Sequence, residues 1–199
     1  MLITRRFLLS LVAATPIATA MAADDPRMAP RFIGQPSAPV TVTEYFSLTC
    51  IHCAAFARET LPQVKLQLVA SGKVKLVFSD FPLDRLALTA AQVARALPPE
   101  RYDPFIEALL ASQDRWAFAR GVDNVGEIYK TAALAGMSRA TFDAAVNDQD
   151  LQKAILAEQS EAEAKFKVNS TPTFIIGGKA YPGEMDFATF AKLVDGAGS

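Results

Sequence analysis

Strand-forming residues in this 199-residue chain fall in two widely separated places, and that separation limits the folds open to it. Val40 to Phe46 and Lys73 to Phe78 are rich in β-branched and aromatic residues, with a helix-forming stretch between them. Strand character then lapses until Thr173-Phe174-Ile175-Ile176, across an alanine-rich helical tract from about Leu86 to Val168. Gly177-Gly178 makes a two-residue turn into Lys179-Ala180-Tyr181, and Asp186 opens a last helix carrying Phe187, Phe190, Leu193 and Val194. The order is β-α-β, a helical block, then β-β-α, which predicts an α/β chain.

Within the first unit, Cys53 to Leu61 is helix-forming, and Pro62 should kink that helix or begin a second segment ending at Gly72. The helical tract divides into four or five pieces. Ala87 to Leu97 stops at Pro98-Pro99, and Phe105-Ile106-Leu109-Leu110 forms a second stripe. Val125 to Leu134 ends at Gly136, Ser138 caps a short helix around Phe142, and Leu151 to Phe166 closes the set. Residues 23–39, with four prolines, read as an irregular lead-in.

Ahead of that lead-in, Arg5 and Arg6 precede an apolar run from Phe7 to Ala20, and Ala20-Met21-Ala22 has the small-x-small pattern of a cleavage site. Residues 1–22 therefore read as a signal peptide, too short to span a bilayer core of about 30 Å as an anchor. The arginine pair also resembles a twin-arginine signal, so either general or twin-arginine export fits. Cleavage leaves 18 basic against 21 acidic residues, a net charge of −3 in place of −1. Such a balance offers no electrostatic footprint for nucleic acid, and export places the protein in the periplasm, where thiols tend to be oxidised.

The two cysteines and the single histidine of the chain lie together in Cys50-Ile51-His52-Cys53. A zinc site wants four ligands, usually as two separated pairs, and only one pair exists here. A passive disulfide closing so small a loop removes little chain entropy. The third reading is a redox-active dithiol. Cys50, at or just before a helix N-terminus, meets unpaired N–H groups and the positive end of the helix dipole, which favour its thiolate. Cys53, one turn in, is more shielded, so Cys50 is expected to be the exposed nucleophile. The ring of His52 adds to the stabilisation if it donates to the Cys50 sulfur; otherwise it faces solvent.

From about Ala38 to its C-terminus the chain resembles the DsbA-like thiol-disulfide oxidoreductases. Four segments carry the resemblance: Val40 to Phe46 leading into Cys50-Ile51-His52-Cys53, Phe78-Ser79-Asp80-Phe81-Pro82-Leu83, Ser170-Thr171-Pro172-Thr173-Phe174, and the Gly177-Gly178 turn. The resemblance implies a thioredoxin fold with an inserted all-helical domain, the core halves at 23–85 and 169–199 and the insertion at 86–168. It implies a cis bond before Pro172, with Thr171 facing the cysteines to pair with an extended substrate. Glu44, six residues before Cys50, matches the family's buried acid, although a carboxylate on a strand could also face water. Two positions depart from the best-known oxidases: Ile51 stands where they have Pro, and Thr171 where they have Val, as in thioredoxins and isomerases.

The resulting expectation is an exported enzyme that donates disulfides to reduced, folding proteins. It needs no metal or organic cofactor and is recycled by a membrane quinone-linked reoxidase. A reductase or isomerase is the nearest rival, but isomerases add an N-terminal dimerisation domain that residues 23–39 are too few to form, which favours a monomer. A binding module or holdase gripping unfolded chains beside Pro172 is the rival of another class.

Overall fold

The computed structural model describes residues 25–198; the signal peptide expected at 1–22 lies outside them. Five strands form one mixed sheet in the order β1-β3-β2-β4-β5. They are β1 (Arg31–Ile33), β2 (Val40–Phe46), β3 (Val74–Asp80), β4 (Thr173–Ile176) and β5 (Lys179–Pro182). Strands β2 and β3 run parallel, with Val42 opposite Leu76 and Phe46 opposite Asp80. Strand β4 returns antiparallel to β2, with Tyr45 opposite Thr173. The central sheet is thus completed by a segment more than a hundred residues downstream. Gly177 and Gly178 have φ of 56° and 77°, the backbone that a tight β4–β5 turn requires.

The period-two pattern of the strands assigns a face to every side chain. Val42, Phe46, Leu76, Phe78, Phe174 and Ile176 enter the main core, together with Phe56 of α1 (Ile51–Glu59) and Phe190 of α9 (Phe187–Ala197). Tyr45 and Ile175, one residue out of phase, pack on the other face with Ala162 of α8 (Gln149–Phe166), Phe81 and Val168. After α1, Pro62 opens the single turn α2 (Leu61–Gln63). The chain then runs as a π-helix over Val64–Val69 until Gly72, at φ 77°. Proline therefore begins a second segment here.

Between β3 and β4 the chain runs through α3 (Arg85–Ala96), α4 (Pro99–Leu110), α5 (Gln113–Trp116), α6 (Asn124–Leu134), α7 (Arg139–Val146) and α8. Five of these match the expected stripes; α5 is a single added turn. The main core runs continuously from the sheet into this block, through Val93, Leu97, Phe105, Leu109, Trp116, Ile128 and Phe142.

The lead-in is not wholly irregular. Arg31 to Ile33 adds an antiparallel edge strand to β3, with Phe32 opposite Val77. Gly34, at φ 97°, then turns the chain away so close to β3 that a Cβ would stand 2.5 Å from the Val74 carbonyl oxygen. Three residues between prolines carry too little periodicity to be read as a strand in advance.

Sheet, lead-in and helical block meet at Arg95 of α3, whose side chain is fully buried. Its Nε donates to Asp80 Oδ2 at 2.5 Å and its Nη1 to the Ala29 carbonyl at 3.1 Å. Its Nη2 lies 3.5 Å from Glu158 on α8, and the Tyr102 hydroxyl of α4 donates to Asp80 Oδ1 at 3.2 Å. Deleting one partner of such a pair strands the other charge without water, at about 3–5 kcal/mol. Asp80→Ala should lose stability on that scale in urea unfolding at pH 7. Lys130→Ala, which breaks an exposed pair with Glu127, should leave the midpoint unchanged.

Candidate active site

Strand β2 delivers the chain to Phe46, and the loop Ser47-Leu48-Thr49 carries it to α1. The loop is held from two sides. The Cys50 N–H donates to the Ser47 carbonyl at 3.1 Å. On the outer side, the Leu83 N–H donates to Ser47 Oγ at 3.3 Å and Thr49 Oγ1 to Asp84 Oδ2 at 2.7 Å. On the inner side, Gln113 of α5 donates through Nε2 to the carbonyls of Leu48, at 2.8 Å, and Cys50, at 3.0 Å.

Cys50 is the N-cap of α1, with extended backbone at φ −83° and ψ 119°, and its sulfur accepts the Cys53 N–H at 3.4 Å. A thiol here does what serine or aspartate does at ordinary helix starts: it takes up a donor that the first helical turn leaves free. As a thiol it also donates to the Thr171 carbonyl at 3.2 Å. Both cysteines carry free thiols, and both are buried, Cys50 at 6 % exposure and Cys53 at 0 %. Cys50 is therefore less open than a helix-start nucleophile was expected to be, because Thr171 stands directly over it.

The surroundings push the two thiols in opposite directions. Cys50 is lowered to about 5, chiefly by a hydrogen bond from the Cys53 thiol. The Thr171 hydroxyl and the backbone N–H groups of Cys53 and His52 add to this against burial. That hydroxyl is buried and has no partner at ordinary hydrogen-bond distance, so its effect on the sulfur is that of a nearby dipole. Cys53 is raised well above its usual value by burial, by its bond to Cys50 and by the charge of Glu44. Glu44 is buried on β2, facing the main core, which decides between the two orientations left open for it. Burial raises its carboxyl to about 8, helped by the charges of Cys50 and Asp103.

Thr171 and Pro172 stand at the entry to β4, joined by a cis peptide bond, both buried. Ile51 projects outward at 60 % exposure. The His52 ring also points outward, pairing through Nδ1 with Glu184 at 3.3 Å. What reaches Cys50 from His52 is its backbone N–H. Gln113, Glu184 and the Thr49–Asp84 tie have no place in the sequence reading. Gln113 alone left a signal, a polar residue at helical spacing between Leu109 and Trp116 on an otherwise apolar stripe. Among the described residues, no three or more His, Cys, Asp or Glu side chains converge to hold a metal ion. None of the helices described is long and apolar enough to cross a membrane.

The fold has solved counterparts. The structure of alpha-DsbA1 from Wolbachia pipientis superposes with a TM-score of 0.79 at 28% identity, covering 86% of this chain and 92% of that one. A protein-disulfide isomerase from Novosphingobium aromaticivorans gives 0.71 at 27% identity, over 82% and 97%. A provisionally named protein-disulfide oxidoreductase of Rickettsia typhi is 26% identical over 147 residues, 73% of this chain and 54% of that protein. The chain thus spans roughly half to two thirds of the length of the Rickettsia relatives it matches. Residues 27–196 match the family described as Thioredoxin, a match that takes in the cysteine pair, Thr171-Pro172 and all five strands, and the chain belongs to that family.

Proposed function

We propose that the protein is an exported thiol-disulfide oxidoreductase that introduces disulfides into reduced proteins in the periplasm. The observation that carries this reading is the placement of two thiols on one helix start, Cys50 as its N-cap and Cys53 sealed one turn inside. In the oxidised protein, a substrate thiolate attacks the Cys50 sulfur and the bond to Cys53 breaks. Cys53 leaves with the electron pair and takes a proton, for which Glu44, protonated at neutral pH, is the source. A second substrate thiolate then attacks the substrate sulfur of the mixed disulfide and expels Cys50 as a thiolate. Two substrate thiols become a disulfide, and the protein disulfide becomes a dithiol. Thr171 and Pro172 line the place where the substrate backbone lies, and Ile51 offers it an apolar contact. A membrane quinone-linked reoxidase restores the pair. Segment 1–22 supports export, and the Wolbachia likeness supports the chemistry.

The size of the Cys50 shift supports the oxidising direction. A reference thiol near 9 is protonated at pH 7 while Cys50, near 5, is ionised. Only the two pH units between 5 and 7 count, about 2.7 kcal/mol in favour of the reduced form. For a two-electron couple that is about 60 mV toward a stronger oxidant. Equilibration with glutathione should therefore give a potential well above the roughly −270 mV of thioredoxin; a value near that figure assigns a reductase instead. In a disulfide-formation assay on a reduced substrate, Cys50→Ser should abolish turnover. Cys53→Ser should accumulate a mixed disulfide through Cys50. Full activity in both variants would point to a holdase.

Linkage gives two further outcomes. The folded thiol of Cys50 lies below its unfolded value, so its contribution to the reduced protein is complete above about pH 9 and disappears as pH falls through about 5. The oxidised protein lacks this titration. The stability advantage of reduced over oxidised protein should hence grow between pH 5 and 9, by up to about 1.4 kcal/mol per unit. Glu44 has the opposite sign. Its folded value, about 8, exceeds the ordinary 4.5, so burying it weakens the fold as pH rises between them. Glu44→Gln should gain stability over the native protein as pH goes from 5 to 8, measured by urea unfolding at each pH. It should also slow release of Cys53 in single-turnover exchange.

A further inference from the structure

A buried side chain of the helical block is hydrogen-bonded to the cysteine loop. Gln113 is 6 % exposed, sits on the single-turn helix α5, and spends its amide on two backbone carbonyls of the loop, those of Leu48 and Cys50. The Cys50 carbonyl also accepts the Ala54 N–H at 3.1 Å, so with Gln113 both of its lone pairs are used. Neither carbonyl is part of the sheet; in that enclosed place, without the amide, Leu48 would keep a bare acceptor beside the reactive sulfur. Carbonyl oxygens carry partial negative charge, and an unpaired one at Leu48, with the Cys50 carbonyl left to the Ala54 N–H alone, would work against a thiolate a few bonds away.

We propose that Gln113 is a positioning residue for Cys50: by pinning the Leu48 and Cys50 carbonyls it fixes the N-cap geometry and offsets their negative dipoles, so the helical block sets how well the thiolate is held. The proposal rests on the dithiol reading above. Hydrogen bonding to a neutral amide does this without adding a charge, and it leaves Cys50 free to accept the Cys53 N–H. The fixed distance between α5 and the loop is maintained on the α5 side by Trp116, whose Nε1 donates to the Leu109 carbonyl at 2.8 Å, and by Asn124, which donates to the Trp116 carbonyl at 2.6 Å.

The test is the thiolate titration of Cys50, followed by absorbance near 240 nm, in the native chain, Gln113→Met and Gln113→Glu. Methionine keeps the bulk and loses both donors, and ionised glutamate adds a negative charge beside the same carbonyls. Gln113→Met should raise the midpoint enough to reduce the thiolate fraction three- to tenfold at a pH below it, and Gln113→Glu should raise it further. The equilibrium constant for oxidation by glutathione should increase by a similar factor. Thermal melts of both variants separate this from loss of fold. Loss of melting temperature with an unchanged Cys50 midpoint would overturn the proposal and leave Gln113 a strut. Should neither variant fold, the native protein still decides: the Gln113 Nε2 resonance should titrate with the Cys50 midpoint, and a flat resonance overturns the proposal. Absence of any Cys50 titration would instead overturn the dithiol reading itself.

Discussion

A single buried guanidinium joins the parts of this protein that are distant in sequence. Arg95 has no water to turn to, so each of its donors requires an acceptor from the fold: Asp80 at the end of β3, the Ala29 carbonyl in the lead-in, and Glu158 on α8. Asp80 ends the strand on the same side from which the chain turns toward Leu83 and Asp84, the residues that hold the outer side of the cysteine loop. Apolar contacts alone would tolerate a sliding helical block. A charge that is ruinous to leave unpaired allows few alternative seatings, and the site inherits that rigidity.

The same economy of position governs the two thiols. One nine-residue helix presents Cys50 to the field of its own N-terminus and turns Cys53 into the core beside a carboxyl group. Two residues separate a group stabilised as an anion from one held as a neutral acid. No metal is needed to produce the difference, because backbone N–H groups and burial act in opposite senses over a few ångströms.

Much of this was readable before any geometry. Runs of β-branched and aromatic residues located β2, β3 and β4, and Pro62, Gly72, Pro98 and Gly136 located several helix boundaries, because local chemistry decides those features. The cysteine pair stood out because nothing else in the chain has its chemistry. What stayed hidden depends on pairing across the chain. Strand β1 is three residues long and exists because β3 offers it an edge. The orientation of the His52 ring was decided by Glu184, a residue more than a hundred positions away whose loop happens to pass α1. Glu44 could have faced either side of β2 until the helices chose one. Gln113 showed only as an odd polar residue on an apolar stripe, with no indication of which carbonyls it would meet.

The distance along the chain between Cys50 and Thr171 has a consequence for the order of events as the protein is made. Cys50 and Cys53 can meet as soon as a few residues beyond them exist. The Thr171 carbonyl that stands over Cys50 arrives 121 residues later, and closing that longer loop costs about 3 kcal/mol more in chain entropy than closing the three-residue one. The reactive pair is hence complete as chemistry well before it is complete as a site. Until Thr171 is in place the chain carries an unshielded dithiol, on whichever side of a membrane it folds. The timing of the first oxidation is in this way tied to the long helical detour between β3 and β4.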